Sequence, residues 1–338
     1  MSISRRLILV IVLAVVAVFL IIFGIMRYVE YKQAMDFNEQ NTTYNWNSMI
    51  QEQAYKNRTV DGVDYTYRPG IINVLLLGID REGELAKSTP NTAREGGQCD
   101  AIYLMTLDKI NGTMNILQID RDTMTEINVL GPTGDSLGIQ VDHLCLSHAY
   151  GKTEKERCVN ARDAVSNLLG NIRIDYYASM SIAALTPLVE AVGGVTVTCV
   201  SDLTDLDPDL KEGATVTLDG PKAEIYVRSR RSADDGTNKS RLIRQKSFLN
   251  ALLDEIFKKL RNDFTDATRW YDSIQPYTYL STSFENFLSI FEMAINYTRA
   301  DMITPVGTYD YSKTYAEFHI DEENLTQTVL RLCYQKSK

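Results

Sequence analysis

Residues 71–81 read IINVLLLGIDR, an apolar run broken only by Asn73 that stops at Gly78-Ile79-Asp80-Arg81. A run of this length bounded by turn residues has the pattern of a buried strand, and it opens the folded part of the chain. Just upstream, Asp61-Gly62 is a hairpin turn signal and Val63 to Tyr67 alternates apolar with polar. Downstream, two further strands are predicted, Ala101 to Leu107 directly after Asp100 and Met114 to Ile119 leading into Asp120-Arg121-Asp122. Each strand therefore has polar residues at one end. In layered α/β folds ligands gather where strand ends meet loops, so Asp80, Asp100 and Arg121 are candidates for one crevice. The plainer alternative is that they are solvated turn residues.

Helical spacing follows from Ala161 to Gly170 and from Ile182 to Val192, and each segment ends at glycine as a helix C-terminus should. Val195 to Val200 and Thr215 to Leu218 read as strands, Leu242 to Arg261 and Phe284 to Tyr297 as amphipathic helices. Asp321 is placed to cap a last helix reaching Tyr334. The order of elements predicts a mixed α/β fold, one layered α-β-α domain around a central mixed sheet over residues 59–338.

The N-terminus is different in kind. After Arg5-Arg6, residues 7–26 carry no charge, long enough at about 1.5 Å per residue to cross a hydrocarbon core of about 30 Å. No small-residue cleavage site follows, so the segment reads as a retained transmembrane helix. The positive-inside rule puts residues 1–6 in the cytoplasm and the remainder outside the cell. Residues 27–58 are polar and read as an extracellular stalk. The expected location is the cell membrane, in single-pass topology.

The stretch YVRSRRSADDGTNKSRLIRQ, residues 226–245, gathers five arginines in a chain of net charge −9. Read as a strand over Ile225 to Arg230, it places Arg228 and Arg230 on one face. Read as a helix from Lys239, it places Arg241, Arg244 and Gln245 together at i, i+3 and i+4. Guanidinium forks match phosphate oxygens, so the group reads as a phosphate or pyrophosphate clamp. A solvated helix paired with Asp234 and Asp235 is the competing reading. The net negative charge and lack of a broad basic surface argue against a nucleic-acid partner. The five cysteines, Cys99, Cys145, Cys158, Cys199 and Cys333, show no metal-binding spacing; most are expected as buried thiols, with a Cys145–Cys158 disulfide as an alternative. His143 and His148 are expected to be hydrogen-bonded structural residues rather than ligands or acid-base groups.

Taken in order behind one apolar span, the segments NVLLLGIDR, QCDAIYLMTLD, MNILQIDRDTMTEI, SHAYG, IDYYASMSIAAL, VEAVGGVTVTC, LDGPKAEIYVRSR and SRLIRQ resemble the LytR-CpsA-Psr family, over about residues 72–255. The resemblance implies a membrane-anchored phosphotransferase. Such an enzyme takes a glycopolymer, teichoic acid or capsule polysaccharide, from an undecaprenyl-pyrophosphate carrier and attaches it to peptidoglycan through a phosphodiester bond. It implies Mg2+ or another divalent cation on Asp80 and Asp100. It implies pyrophosphate binding by Arg121, Arg228, Arg230, Arg241 and Arg244 with Gln245 beside them. Asp80 or Asp122 is the candidate proton acceptor in the catalytic set Asp80, Asp100, Arg121 and Asp122. The bilayer, the lipid-linked donor and the peptidoglycan acceptor are the implied partners. The chain departs from the family pattern at Gln98-Cys99, where many members have Arg-Ser, at Asp120, where many have Pro, and after Tyr150, where the usual glycine pair is missing. Two other functions use the same residues, a non-catalytic sensor of polyprenyl-linked glycans and a polyprenyl-pyrophosphate hydrolase.

Overall fold

The computed structural model describes residues 57–85, 94–229 and 238–337. The predicted cytoplasmic end, membrane span and nearly all of the stalk lie outside the described residues, as do Arg230, Asp234 and Asp235. Among the described residues no helix is long and apolar enough to cross a membrane.

Strands β1 (Asn57–Val60) and β2 (Val63–Tyr67) form a hairpin through Asp61 and Gly62, both at positive φ, the backbone that Asp-Gly turns favour. The chain then enters β3 (Ile71–Ile79), β4 (Cys99–Asp108) and β5 (Thr113–Ile119), three antiparallel neighbours at the centre of the fold. A second hairpin, β6 (Met124–Leu130) and β7 (Ser136–His143), precedes helix α1 (Glu154–Leu168). Next come β8 (Tyr176–Ser181), helix α2 (Leu185–Val192), β9 (Val195–Thr198), β10 (Thr215–Leu218), helix α3 (Gly220–Arg228) and helix α4 (Asn238–Asn262). The C-terminal third holds α5 (Asp266–Ile274), β11 (Thr278–Leu280), α6 (Phe284–Asn296) and β12 (Thr298–Arg299). It closes with the hairpin β13 (Gly307–Asp310) and β14 (Glu317–Ile320), helix α7 (Glu322–Cys333) and β15 (Tyr334–Lys336).

The main sheet has the order β11-β8-β3-β4-β5-β12. It is mixed, because β3 pairs parallel with β8 and antiparallel with β4. Side chains alternate across it: Val74, Tyr103 and Met105 enter a core with α2, α3, α4, α5 and α6, whereas Leu75, Leu77, Ile102 and Leu104 enter a core with α1 and α7. Both faces are covered, which is why IINVLLL reads as a continuous apolar run. The α-β-α layering expected from the order of elements is the layering found. Asp321 caps α7 as expected, accepting from the Asn324 N–H at 2.9 Å.

One segment departs from its sequence reading. Residues 225–228 belong to α3, not to a strand. Asp219 accepts from the Lys222 N–H at 2.9 Å and Pro221 occupies the first turn, a capped helix start that overrides the strand preference of Ile225-Tyr226-Val227. Ala223, Tyr226 and Val227 then fall at i, i+3 and i+4 and are buried. Arg228 ends this helix and so is not presented from a strand, and Arg230, its predicted partner, lies outside the described residues.

Candidate functional site

Because β3 runs one way and β4 the other, the end of β3, the start of β4 and the end of β5 lie along one edge of the sheet. Asp80, Asp100 and Arg121 follow one another along that edge. The β3–β4 register shifts at Gly78–Ile79, a bulge next to the site. A Cβ on Gly78 would come within 2.9 Å of the Ala101 Cβ, so this close approach of the two strands requires glycine.

Asp100 is held by two arginines. Oδ1 accepts from Arg121 and Oδ2 accepts from Arg241 at 3.2 Å. Arg121 also donates to Asp122 at 3.0 Å and to the Gln98 side chain at 2.6 Å. Gln98, where many family members carry arginine, thus accepts a hydrogen bond that a cation would refuse. Asp80 is more open, with a side chain 47% exposed and one contact to Arg228 at 3.3 Å. Arg228 is also tied to Glu224 one turn back, at 2.5 Å.

The face Arg241, Arg244 and Gln245 forms as predicted, and it is buried, with 3, 0 and 9% exposure. That removes the solvated-helix alternative for these three residues. Their roles differ. Arg241 donates through Nε and one terminal nitrogen to Asn238 Oδ1, at 3.1 and 2.5 Å, and turns the other toward Asp100. Arg244 is directed at protein groups: the Tyr226 carbonyl at 3.0 Å, Ser201 Oγ at 3.3 Å and the Ser229 carbonyl. It binds α4 to the C-terminal end of α3. Gln245 donates to the Val227 carbonyl at 3.4 Å.

Sequence reasoning did not single out Asn238 and Tyr309. Asp120 is 3% exposed and accepts from Asn238 Nδ2 at 2.5 Å, the Asp122 N–H at 2.9 Å and the Tyr309 hydroxyl. Burial raises its pKa above the ordinary aspartate value, and the hydrogen bonds from Tyr309 and Asp122 only partly oppose this. The chain Tyr309, Asp120, Asn238, Arg241, Asp100, Arg121 is therefore continuous. Asp120, the departure from the family's proline, orients Asn238, and Asn238 orients Arg241. No local spacing signals a link between residues so far apart in the chain.

His148 is fully buried and hydrogen-bonded, as expected. Nδ1 donates to the Gly97 carbonyl at 3.0 Å and Nε2 lies 2.9 Å from Glu154, which also accepts from Ser179 and Arg157. Burial raises the Glu154 pKa, but the His148 and Ser179 hydrogen bonds and the charge of Arg157 outweigh it and lower it to about 2. This network supports Gly97, at φ 85°, and so the approach to Gln98 and Asp100. All five cysteines are buried free thiols, so Cys145 and Cys158 are not joined. Burial pushes the Cys99 thiol up to about 12 and the Cys333 thiol to about 11, which keeps both protonated and unreactive.

A cavity of about 690 Å³ opens at the site. Asp80, Asp100, Arg228 and Arg241 are its charged lining, Gln245, Ser179, Ser181 and Thr278 are further polar members, and most of the rest is apolar, drawn from Leu185 and Leu188 of α2, Phe248 and Leu252 of α4, Trp270 of α5 and Phe287 of α6, among others. Of the two helical segments expected from Ala161 to Gly170 and from Ile182 to Val192, the second contributes to the wall and the first packs in the opposite core. Arg121 and Asp122 stand outside this lining, on the β5 side of the site.

The LytR_cpsA_psr family model matches residues 35–332. The chain is 28% identical over 244 residues to the polyisoprenyl-teichoic acid–peptidoglycan teichoic acid transferase TagV of Bacillus subtilis, covering 70% of this chain and 55% of TagV. It is 27% identical over 182 residues to TagU of Bacillus anthracis, covering 54% of this chain and 52% of that protein. This chain thus matches about half the length of these curated relatives. Among solved structures, gbs0355 from Streptococcus agalactiae has the same fold with a TM-score of 0.62 at 21% identity, covering 78% of this chain and 86% of the other.

Proposed function

This chain belongs to the LytR-CpsA-Psr family, and from that premise we propose that it is a phosphotransferase moving a glycopolymer from an undecaprenyl-pyrophosphate carrier onto peptidoglycan. One observation carries the reading: a deep apolar cavity whose charged lining, among the described residues, is Asp80, Asp100, Arg228 and Arg241. A polyprenyl pyrophosphate has this division, a long hydrocarbon and a compact polyanion. Teichoic acid, which the curated relatives are named for transferring, is the proposed cargo class. Residues 7–26 would anchor the enzyme in the membrane with the domain outside the cell, close to its lipid donor.

In the proposed reaction the hydrocarbon lies along Leu188, Phe248 and Leu252, and the pyrophosphate sits against Arg121, Arg228 and Arg241. Arg241 acts where α4 begins, so its charge adds to that of the helix N-terminus. Arg230 would join them, and Arg244 would serve by holding α4 against α3. The acceptor hydroxyl oxygen bonds to the glycan-linked phosphorus while the bridging P–O bond breaks, and polyprenyl phosphate departs with the electron pair. Asp122, beside Arg121, or Asp80 takes the hydroxyl proton. The positioned guanidinium groups stabilise the charge that builds on the transferring oxygens.

The donor set fits a divalent cation. Asp80 makes one long contact and keeps lone pairs facing the cavity, while each Asp100 oxygen accepts one guanidinium hydrogen bond and retains a second acceptor position. All are hard oxygen donors suited to Mg2+. When bound, the ion would supply positive charge beside the pyrophosphate. Asp80→Asn is expected to raise the Mg2+ concentration giving half-maximal transfer by about tenfold, since it removes one carboxylate charge from the donor set. An unchanged Mg2+ titration would remove Asp80 from the metal site.

The test of the function is transfer of a lipid-linked teichoic acid precursor to peptidoglycan by the full chain in detergent. Leu252→Trp fills the cavity below the charged mouth and is expected to raise the donor KM by about tenfold or more, because overpacking excludes the tail. Release of phosphorylated glycan without an adduct would establish hydrolysis instead, and donor binding without turnover would establish a sensor.

A further inference from the structure

The hairpin β13–β14 is tied to the residues just after β5 at two points and to the end of β7 at a third. Tyr309 donates to Asp120, the Phe318 N–H donates to the Asp122 carbonyl at 2.8 Å, and His143 Nε2 donates to the Ala316 carbonyl at 2.9 Å. Between the two strands the chain carries two tyrosines that the packing leaves outside: Tyr311 is 56% and Tyr315 75% exposed. Neither ring is loose. Tyr311 stacks on Tyr309 with centroids 5.4 Å apart and an interplanar angle of 16°, and Tyr315 meets the His143 ring edge-on at 6.5 Å.

The direction of the reaction says what this surface would meet. In an in-line displacement the attacking and leaving oxygens lie on opposite sides of the phosphorus. The leaving polyprenyl phosphate belongs to the cavity behind Asp80 and Asp100, so the attacking hydroxyl arrives from the opposite, Arg121–Asp122 side. The hairpin stands on that side. Resting on the proposed function, we infer that Tyr311 and Tyr315 form a stacking platform for the sugar rings of the acceptor, the glycan strand of peptidoglycan. Supported aromatic faces suit the apolar faces of pyranose rings, and the hydroxyl-rich edges of those rings remain in water. A site for a long acceptor should be open, as this is, rather than enclosed like the lipid cavity.

The experiment uses the full chain in detergent with purified, uncrosslinked peptidoglycan glycan strands. It measures strand binding without donor and the transfer KM for each substrate. Tyr315→Ala and the double variant with Tyr311→Ala are expected to weaken strand binding and raise the acceptor KM by about tenfold, as loss of one or two aromatic contacts should. The donor KM and kcat should stay within about twofold, and Tyr315→Trp should restore binding. Equal strand binding by the wild type and the double variant, or a change confined to the donor KM, would overturn the inference. So would an effect seen only with vesicle-embedded donor, which would give the surface to the bilayer. If the wild type transfers nothing yet binds strands through these tyrosines, the platform stands and the transferase reading fails. If transfer is intact and the double variant binds strands unaltered, the transferase reading stands and the platform fails.

Discussion

Arg241→Ala is expected to lower the kcat for transfer by about a hundred- to a thousandfold, the scale lost when one preorganised charge-stabilising donor is removed. Arg241 lines the cavity mouth, is almost fully buried and is oriented by Asn238 before any ligand arrives. Its positive charge therefore needs little reorganisation during the reaction. Arg241→Lys keeps the charge but not the fork, and a single ammonium group cannot serve Asn238 and Asp100 in the same planar geometry. An intermediate loss is expected there. Single-turnover transfer with saturating donor separates the chemical step from binding. A kcat within threefold of wild type for Arg241→Ala would show that this pyrophosphate-binding residue does not stabilise the charge of the transfer step.

Arg244→Met is expected to act on stability instead, costing about 3 kcal/mol in unfolding free energy, because it strands the Tyr226 and Ser229 carbonyls and Ser201 in a dry interior. Met approximates the volume of the aliphatic stem, so the loss reports hydrogen bonds more than a cavity. Urea unfolding of purified variants provides the measurement. The two arginines, three residues apart on one helix, should thus separate: one variant folded and slow, the other less stable. A stability change below about 0.5 kcal/mol for Arg244→Met would show that its bonds are made equally well by water. The same hydrogen bonds explain why a helix face with two guanidinium groups is buried at all. Each cation is matched by oxygens before any ligand is present.

Much of the site was legible because its residues sit at strand ends, and strand ends are marked by the change from apolar to polar residues. Asp80, Asp100 and Arg121 could be placed on one edge from three buried runs alone. The face formed by Arg241, Arg244 and Gln245 followed from helical spacing. Asn238 and Tyr309 could not be found this way, since their importance lies in contacts with Asp120 across long separations. The residues 225–228 misled because Ile-Tyr-Val favours strands locally, although Asp219-Gly220-Pro221 held the signal of a helix start that decides the matter.

The sequence by itself determined the layering, the buried central strands, the arginine helix and the membership of a family, because periodicity and motif order are properties of the chain. Only the tertiary structure decided which arginine lines the cavity and which donates to protein carbonyls, which helices wall the cavity, and that the C-terminal hairpin reaches the residues just after β5. Those outcomes depend on which elements meet. A repeating pattern of apolar residues states that a face is covered, but not by what, and a guanidinium group takes its role from the oxygens that packing places around it.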